Sequence, residues 1–450
     1  MLSRMSVQDG STLVKLRKQV RKRCAGGYKR YNGLLGLLKR RRHEEEYEGE
    51  AVEVVTKAPM EYLEHSDSFC DGGTLVCSSR SSTYGSTLTL LEDECAETSD
   101  VKLEVVEEVD VKVVVREFHQ AQANELGRER HLHYYQLPFP WRENRFIIHG
   151  YRFYDSHYKS LLSIVNWYGW HNETANIWTH LGGALYVLWL AVYDFPRTSV
   201  WESEQVPMVA KCIVYVFLAA ALKCMLASVF GHTFNGTCCL ALRSKFACVD
   251  YSGITMLITA SILTTEFVTM YNYPWSLRFY LAVSTVLGIF GVIMNWSPKF
   301  DRPEARPLRI KFFILLAAMG GLSFMQLGLL GGWKYASWLM APVTHKSLVW
   351  YLLGVAFYGS FVPERFRTDI VVDKRIPTEQ ELSTSLEVVT RHKHVHFRPE
   401  PTAGARTDLW SLWWVDYVGC SHSWWHLFVV LGVVGHYHAI IDMFANRWGI

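Results

Sequence analysis

Seven apolar stretches follow one another from residue 174 to the end of the chain, at 174–193, 208–232, 246–270, 275–296, 310–332, 345–362 and 423–444. At ~1.5 Å of helical rise per residue, each approaches or exceeds the ~30 Å of a bilayer's hydrocarbon. The stretch at 345–362 is the shortest. Lipid offers no partner to an unpaired backbone amide, so such stretches fold as helices that satisfy their own hydrogen bonds. A buried helical core in a soluble protein would instead need amphipathic faces, which these stretches lack. The expectation is an all-α, seven-transmembrane helix bundle, integral and multi-pass in the plasma membrane or an endomembrane.

The positive-inside rule orients it. Arg142, Arg145, Arg152, Lys159, Arg243, Lys245, Lys299, Arg302, Arg306, Arg309 and Lys311 fall on one side of the expected bundle; the other side has Arg197, Lys334 and Arg447. The amino terminus is therefore expected in the cytoplasm and the carboxyl terminus in the extracellular space or a lumen. No cleavable signal opens the sequence, so the first span is expected to direct insertion.

The first 140 residues read as a largely disordered cytoplasmic tail. Residues 11–42 hold twelve Lys or Arg around leucines, which suits either anionic lipid or a solvated basic arm. Residues 44–110 hold 19 Asp or Glu against three Lys or Arg, with a Ser/Thr-rich patch. Residues 141–173 read as a cytoplasmic interfacial segment, in which "SLLSIVNWYGW" (160–170) forms a short helix on the membrane surface. The membrane domain, 174–450, completes the chain. Nothing points to nucleic acid. Ten scattered cysteines include no C-x-x-C pair, and free thiols are expected. Cys238, Cys239, Cys248 and Cys420 fall near one membrane face and are weaker candidates for a metal.

The last span opens with "SHSWWH", and its His422 and His426 lie one helical turn apart on one face. The second span runs towards the cytoplasm and ends at His232; the third starts there and soon reaches Asp250. Three helices thus bring their few metal-capable groups to one level of the bilayer, where ionisable side chains are costly and face the bundle interior. Three neutral imidazoles with a fourth position for water or a carboxylate suit Zn²⁺, whereas Mg²⁺ or Ca²⁺ would ask for more oxygen ligands. Histidines hydrogen-bonded between helices are the plainer alternative.

These residues also carry a resemblance. "WHNETANIWTHLGG" (170–183), "SVFGH" (228–232), "DYSG" (250–253), "PER" (363–365) and "SHSWWH" (421–426), in that order, are similar to the progestin and adipoQ receptor family, which includes the adiponectin receptors and is related to haemolysin III proteins. The resemblance covers about 157–366 and 411–445. It implies zinc ligands at His232, His422 and His426, an aspartate at Asp250 that holds or activates a zinc-bound water, and a motif serine at Ser228. His436 also matches a family histidine, but ten residues past His426 it lies ~15 Å further along the helix and cannot share that ion. His438 has no motif support and reads as packing.

In "HNETANIWTH", Asn172 or Thr174 can cap the first span, and Glu173 favours a helix amino terminus. Alternatively, Glu173, Asn176 or His180 joins a polar network beneath the metal. Two features depart from the family: an expanded cytoplasmic loop, 366–411, which contains His392, His394 and His396, and Lys223 within the second span. The loop reads as solvated and basic, with a second metal site as the sharper alternative. Lys223 would snorkel or pair with a buried acid.

The resemblance implies a receptor in lipid or metabolic signalling with zinc-dependent hydrolysis of a ceramide-type amide. Asp250 would then serve as proton acceptor, and a sphingolipid or fatty acid would occupy the bundle. An extracellular ligand and an oligomer are further expected possibilities. The alternative reading is a regulator of zinc and sterol homeostasis with a structural zinc and no hydrolase activity.

Overall fold

A computed structural model describes residues 120–297, 305–373 and 400–450. The expectations for 11–42, for 44–110 and for His392, His394 and His396 fall outside the described residues. The described residues belong to two units. Residues 120–129, 135–142, 373 and 400 form part of the first, where the Arg142 guanidinium donates to the Leu137 and Tyr135 carbonyls at 2.8 and 3.0 Å around a 3-10 turn, Phe139–Trp141.

Residues 120–127 of the first unit are helical, and the second unit holds the remaining α-helices. They are α1 (His157–Ser163), α2 (Thr174–Trp189), α3 (Met208–Phe234), α4 (Leu240–Met270), α5 (Pro274–Asn295), α6 (Arg306–Gly331), α7 (Trp333–Val343), α8 (Val349–Ser360) and α9 (Ser421–Trp448). Among the described residues, six helices are long and apolar enough to cross a membrane: α2 with its extension to Arg197, α3, α4, α5, α6 and α9. Proline starts α5, where a missing N–H costs nothing, and Gly449 ends α9 at φ +70°, a conformation that glycine adopts freely.

The shortest expected span, 345–362, falls on a composite element outside those six. Helical backbone begins earlier, at Trp333, and runs through α7, a π turn (Thr344–Leu348) and α8. Pro342 lies inside α7 and cannot donate to the ladder, and the wide turn follows directly. This turn rests on the backbone of α9. A Cβ on Gly435 would lie 1.7 Å from the Lys346 carbonyl oxygen, and Ser347 Oγ donates to the Gly432 carbonyl at 3.1 Å. Lys346 pairs with Asp442, two helical turns beyond Gly435.

Packing explains the rest. Val187 of α2, Phe217 and Ala221 of α3, and Val433 and Tyr437 of α9 are fully buried in one apolar core. Val286, Ile293, Leu315 and Leu329 on α5 and α6 turn outwards as an exposed apolar belt, as a lipid-facing surface requires. Polar pairs tie helices where both partners are buried, as with Asn295 Nδ2 donating to Thr255 Oγ1 at 2.8 Å.

The surface helix differs from its expected bounds. It begins at His157 and stops at Ser163, before the left-handed Asn166 (φ +54°), leaving Leu161, Val165, Trp167 and Trp170 exposed. Lys223 is exposed on the outside of the bundle and reaches Met256 Sδ of α4; among the described residues no ion pair joins it to a buried acid.

Candidate functional site

His232 lies one half-turn before the end of α3, and His422 and His426 occupy the first two turns of α9. One ligand atom from each lies within 4.8 Å of those of the other two. His422 Nε2 is central, 3.4 Å from His232 Nε2 and 3.3 Å from His426 Nε2. A tetrahedral ion with Zn–N bonds of ~2.0–2.1 Å places its ligands about 3.3–3.4 Å apart; two of the three separations here match that, and the third is no more than 4.8 Å, so a small movement of one ring would complete the donor set for a four-coordinate metal such as zinc. The described cysteines form no disulfide, and none joins the histidine group.

Asp250 of α4 approaches from the side, with Oδ2 3.5 Å from His232 Nε2. Ser228, one helical turn before His232, is buried beside the Asp250 carboxylate, close enough to lower the cost of its charge. The close approach of α3 and α4 depends on Gly231, where a Cβ would meet Asp250 Cβ at 3.1 Å. All five residues expected at the site are therefore neighbours. His436 is elsewhere: its Nε2 lies 3.0 Å from Thr264 Oγ1, and its ring packs on Phe217.

Glu173 resolves the choice left open by the sequence. It occupies the N-cap position of α2 without making a side-chain cap bond. Its Oε2 accepts from His232 Nδ1 at 2.7 Å and from Asn176 Nδ2 at 2.7 Å, and Oε1 accepts from Asn235 Nδ2 at 2.9 Å. Burial raises the Glu173 pKa, but the His232 imidazole, His422 and Arg152 outweigh it and hold the carboxyl well below its usual range. A carboxylate on Nδ1 fixes the tautomer and leaves Nε2 with a free lone pair, the usual outer partner of a metal-bound histidine. Asn176 continues the network, accepting from Ser423 Oγ at 2.9 Å. The His180 ring lies 4.0 Å from that of His426.

Two further residues hold the helix ends, and sequence reasoning gave neither a role. Arg152 is buried and donates to the last carbonyls of α3, at His232 (2.5 Å) and Thr233 (2.9 Å). Glu364, from the "PER" stretch and fully buried, accepts from the Ser421 amide at 2.7 Å and from the Ser421 hydroxyl at the start of α9. A cation at a helix carboxyl end and an anion at an amino end each complement the macrodipole. Here they also fix both helix ends that bear the histidines.

The strand of chain entering α9 has its own clamp. Asp416 accepts from Arg367 at 2.6 and 3.1 Å, from the Ile148 amide at 2.7 Å and from His149 Nδ1 at 3.0 Å. Burial raises the pKa of Asp416, yet His149 and Arg367 bring it below the normal carboxylate range. Its contribution is thus complete above the ordinary aspartate value of ~3.9 and is lost as pH falls through the lowered native value. Asp416→Ala would leave the buried Arg367 guanidinium with Asp369 as its one remaining carboxylate and the Phe146 carbonyl as its other partner. The expected cost is about 3 kcal/mol, the low end for a broken buried pair, read as a lower melting temperature in detergent. A variant as stable as the parent would contradict the clamp.

A sequence profile described as haemolysin-III related matches residues 168–437, more than half of the chain. The chain belongs to the haemolysin III-related family. Relatives of this haemolysin III-related protein include two proteins named ADIPOR-like receptor IZH3. That of Saccharomyces cerevisiae is 65% identical over 347 residues, covering 75% of this chain and 64% of the relative. That of Eremothecium gossypii is 51% identical over 333 residues, covering 73% and 77%. The adiponectin receptor protein of Drosophila melanogaster is 26% identical over 326 residues, covering 70% and 60%. With its six apolar helices, this family member is an integral, multi-pass membrane protein.

Proposed function

We propose that this haemolysin III-related protein is a seven-helix, zinc-binding receptor of lipid or metabolic signalling whose chemistry is hydrolysis of a ceramide-type amide. The observation that carries the reading is the group of three imidazoles with ligand nitrogens within 4.8 Å of one another, two of the separations at 3.3–3.4 Å, with a carboxylate and a serine beside them. The receptor part draws on the names of its relatives.

Zinc held by His232, His422 and His426 would supply a Lewis acid that polarises a carbonyl and acidifies water. Glu173 keeps the proton of His232 on Nδ1, so that Nε2 remains a donor to the metal. Ser228 steadies the Asp250 carboxylate, which takes a proton from attacking water and passes it to the leaving amine. The amide C–N bond breaks, a C–O bond from water forms, and a fatty acid and a sphingoid amine result. Purified protein loaded with zinc should release fatty acid from a long-chain ceramide. No zinc-dependent turnover of any long-chain amide would favour a structural zinc in a receptor, or in a regulator of zinc and sterol homeostasis.

The reading includes an orientation with the histidine level on the cytoplasmic side, which rests on the basic-residue asymmetry. A protease-sensitive tag placed before Met1 should be protected in intact cells or sealed vesicles of matching orientation, and one after Ile450 should be cleaved. The reverse pattern would put the site on the opposite face.

A further inference from the structure

The mechanism makes no use of Glu266. It lies on α4, sixteen residues beyond Asp250 and so ~24 Å along the helix, towards the opposite end of the bundle. The residue is fully buried in a membrane-crossing helix. Its Oε1 is 2.6 Å from Ser284 Oγ of α5, and its Oε2 is buried without a hydrogen-bond partner.

None of the ion pairs among the described residues includes Glu266. From α5 the titratable side chain that faces it is Tyr280, whose hydroxyl donates to the Leu322 carbonyl at 3.3 Å. From α6 the nearby polar group is the uncharged Ser323, 3.3 Å from Thr269 of α4. His436 of α9 is bonded to Thr264, two residues away and therefore about 200° round the helix. One hydroxyl cannot compensate an ionised carboxylate in hydrocarbon, whereas a neutral acid leaves only one hydrogen-bonding group unmet.

We propose that Glu266 is an intramembrane proton-binding site, protonated while the seam between α4 and α5 is closed, which releases its proton when that seam admits water. The proton is the ligand, and the seam is the gate to it. Any movement that parts these two helices would therefore exchange a proton with solvent, independently of the metal.

The test is infrared spectroscopy of the purified full chain in nanodiscs at pH 7. The difference between parent and Glu266→Gln should show a carboxylic-acid C=O stretch that shifts downwards in D₂O and is missing from the variant. Loss of carboxylate stretches instead would overturn the proposal. Parent protein carrying ¹³C-carboxyl glutamate provides a readout that needs no variant. The acid band should move on labelling, which separates it from aspartates such as Asp250; an unmoved band, or none, would overturn the assignment. Replacing choline chloride with sodium chloride at fixed pH should leave the band in place. Its conversion to carboxylate would make Glu266 a sodium site and not a proton site.

Discussion

Replacing His422 with alanine is expected to remove most of the zinc from the purified protein. His422 Nε2 is the shared neighbour of the other two donors, at 3.4 and 3.3 Å. Without it, one donor on α3 and one on α9 remain, and zinc sites in proteins use three or four protein ligands. Even an outer partner of a metal ligand costs ~10–100-fold in affinity when lost, so a direct ligand should cost more. After dialysis against a chelator of moderate strength, the parent should retain about one zinc per chain and the variant almost none. Parent-like zinc content in His422→Ala would remove His422 from the site.

A comparably large effect, on turnover and not on metal, is expected from Asp250→Asn. Asp250 lies beside the histidine group, 3.5 Å from His232 Nε2, and is steadied by Ser228. Asparagine has nearly the same shape, but it cannot take up a proton. Hydrolysis of a long-chain ceramide should therefore fall by ~10²–10⁴-fold, the usual share of a general base. Zinc content and melting temperature should stay near the parent's. Turnover at the parent rate would exclude Asp250 as the base; loss of zinc with turnover would make it a ligand.

Much of this was legible in the sequence because lipid simplifies the physics. A helix in hydrocarbon must satisfy its own backbone, so apolar length reports α3, α4, α5, α6 and α9 directly. Counting which helix ends meet at one level placed His232, Asp250, His422 and His426 together, since ionisable groups in a span turn inwards. The supporting residues were hidden because their partners are distant along the chain. Glu173 grips a histidine 59 positions away, and Arg152 grips its backbone at 80. Arg152 could be counted as one positive charge for orientation but not seen as a brace. Hydropathy placed the start of this span at 345 although helical backbone begins at Trp333, because it registers apolar side chains and the stretch between is interrupted by Lys334, Ser337 and Thr344.

The unbroken course of α9 has a mechanical consequence. From Ser421 to Trp448 it is one rod of ~42 Å, stiff on the scale of the forces that bend side chains. Near one end it bears two of the three imidazoles; about 20 Å away, the π turn leans directly on its backbone at Gly435. A sideways push of about 1 Å there, pivoting about the end that bears the histidines, tilts the rod by roughly 3° on that lever arm, and a group ~6 Å off the helix axis moves with it by ~0.3 Å. The α9 imidazoles would then shift against His232, which is anchored on α3, by a fraction of an ångström. Coordination distances tolerate about ±0.2 Å, so if the three histidines hold zinc, a small displacement at the middle of the rod would be felt as a change in metal affinity at its end.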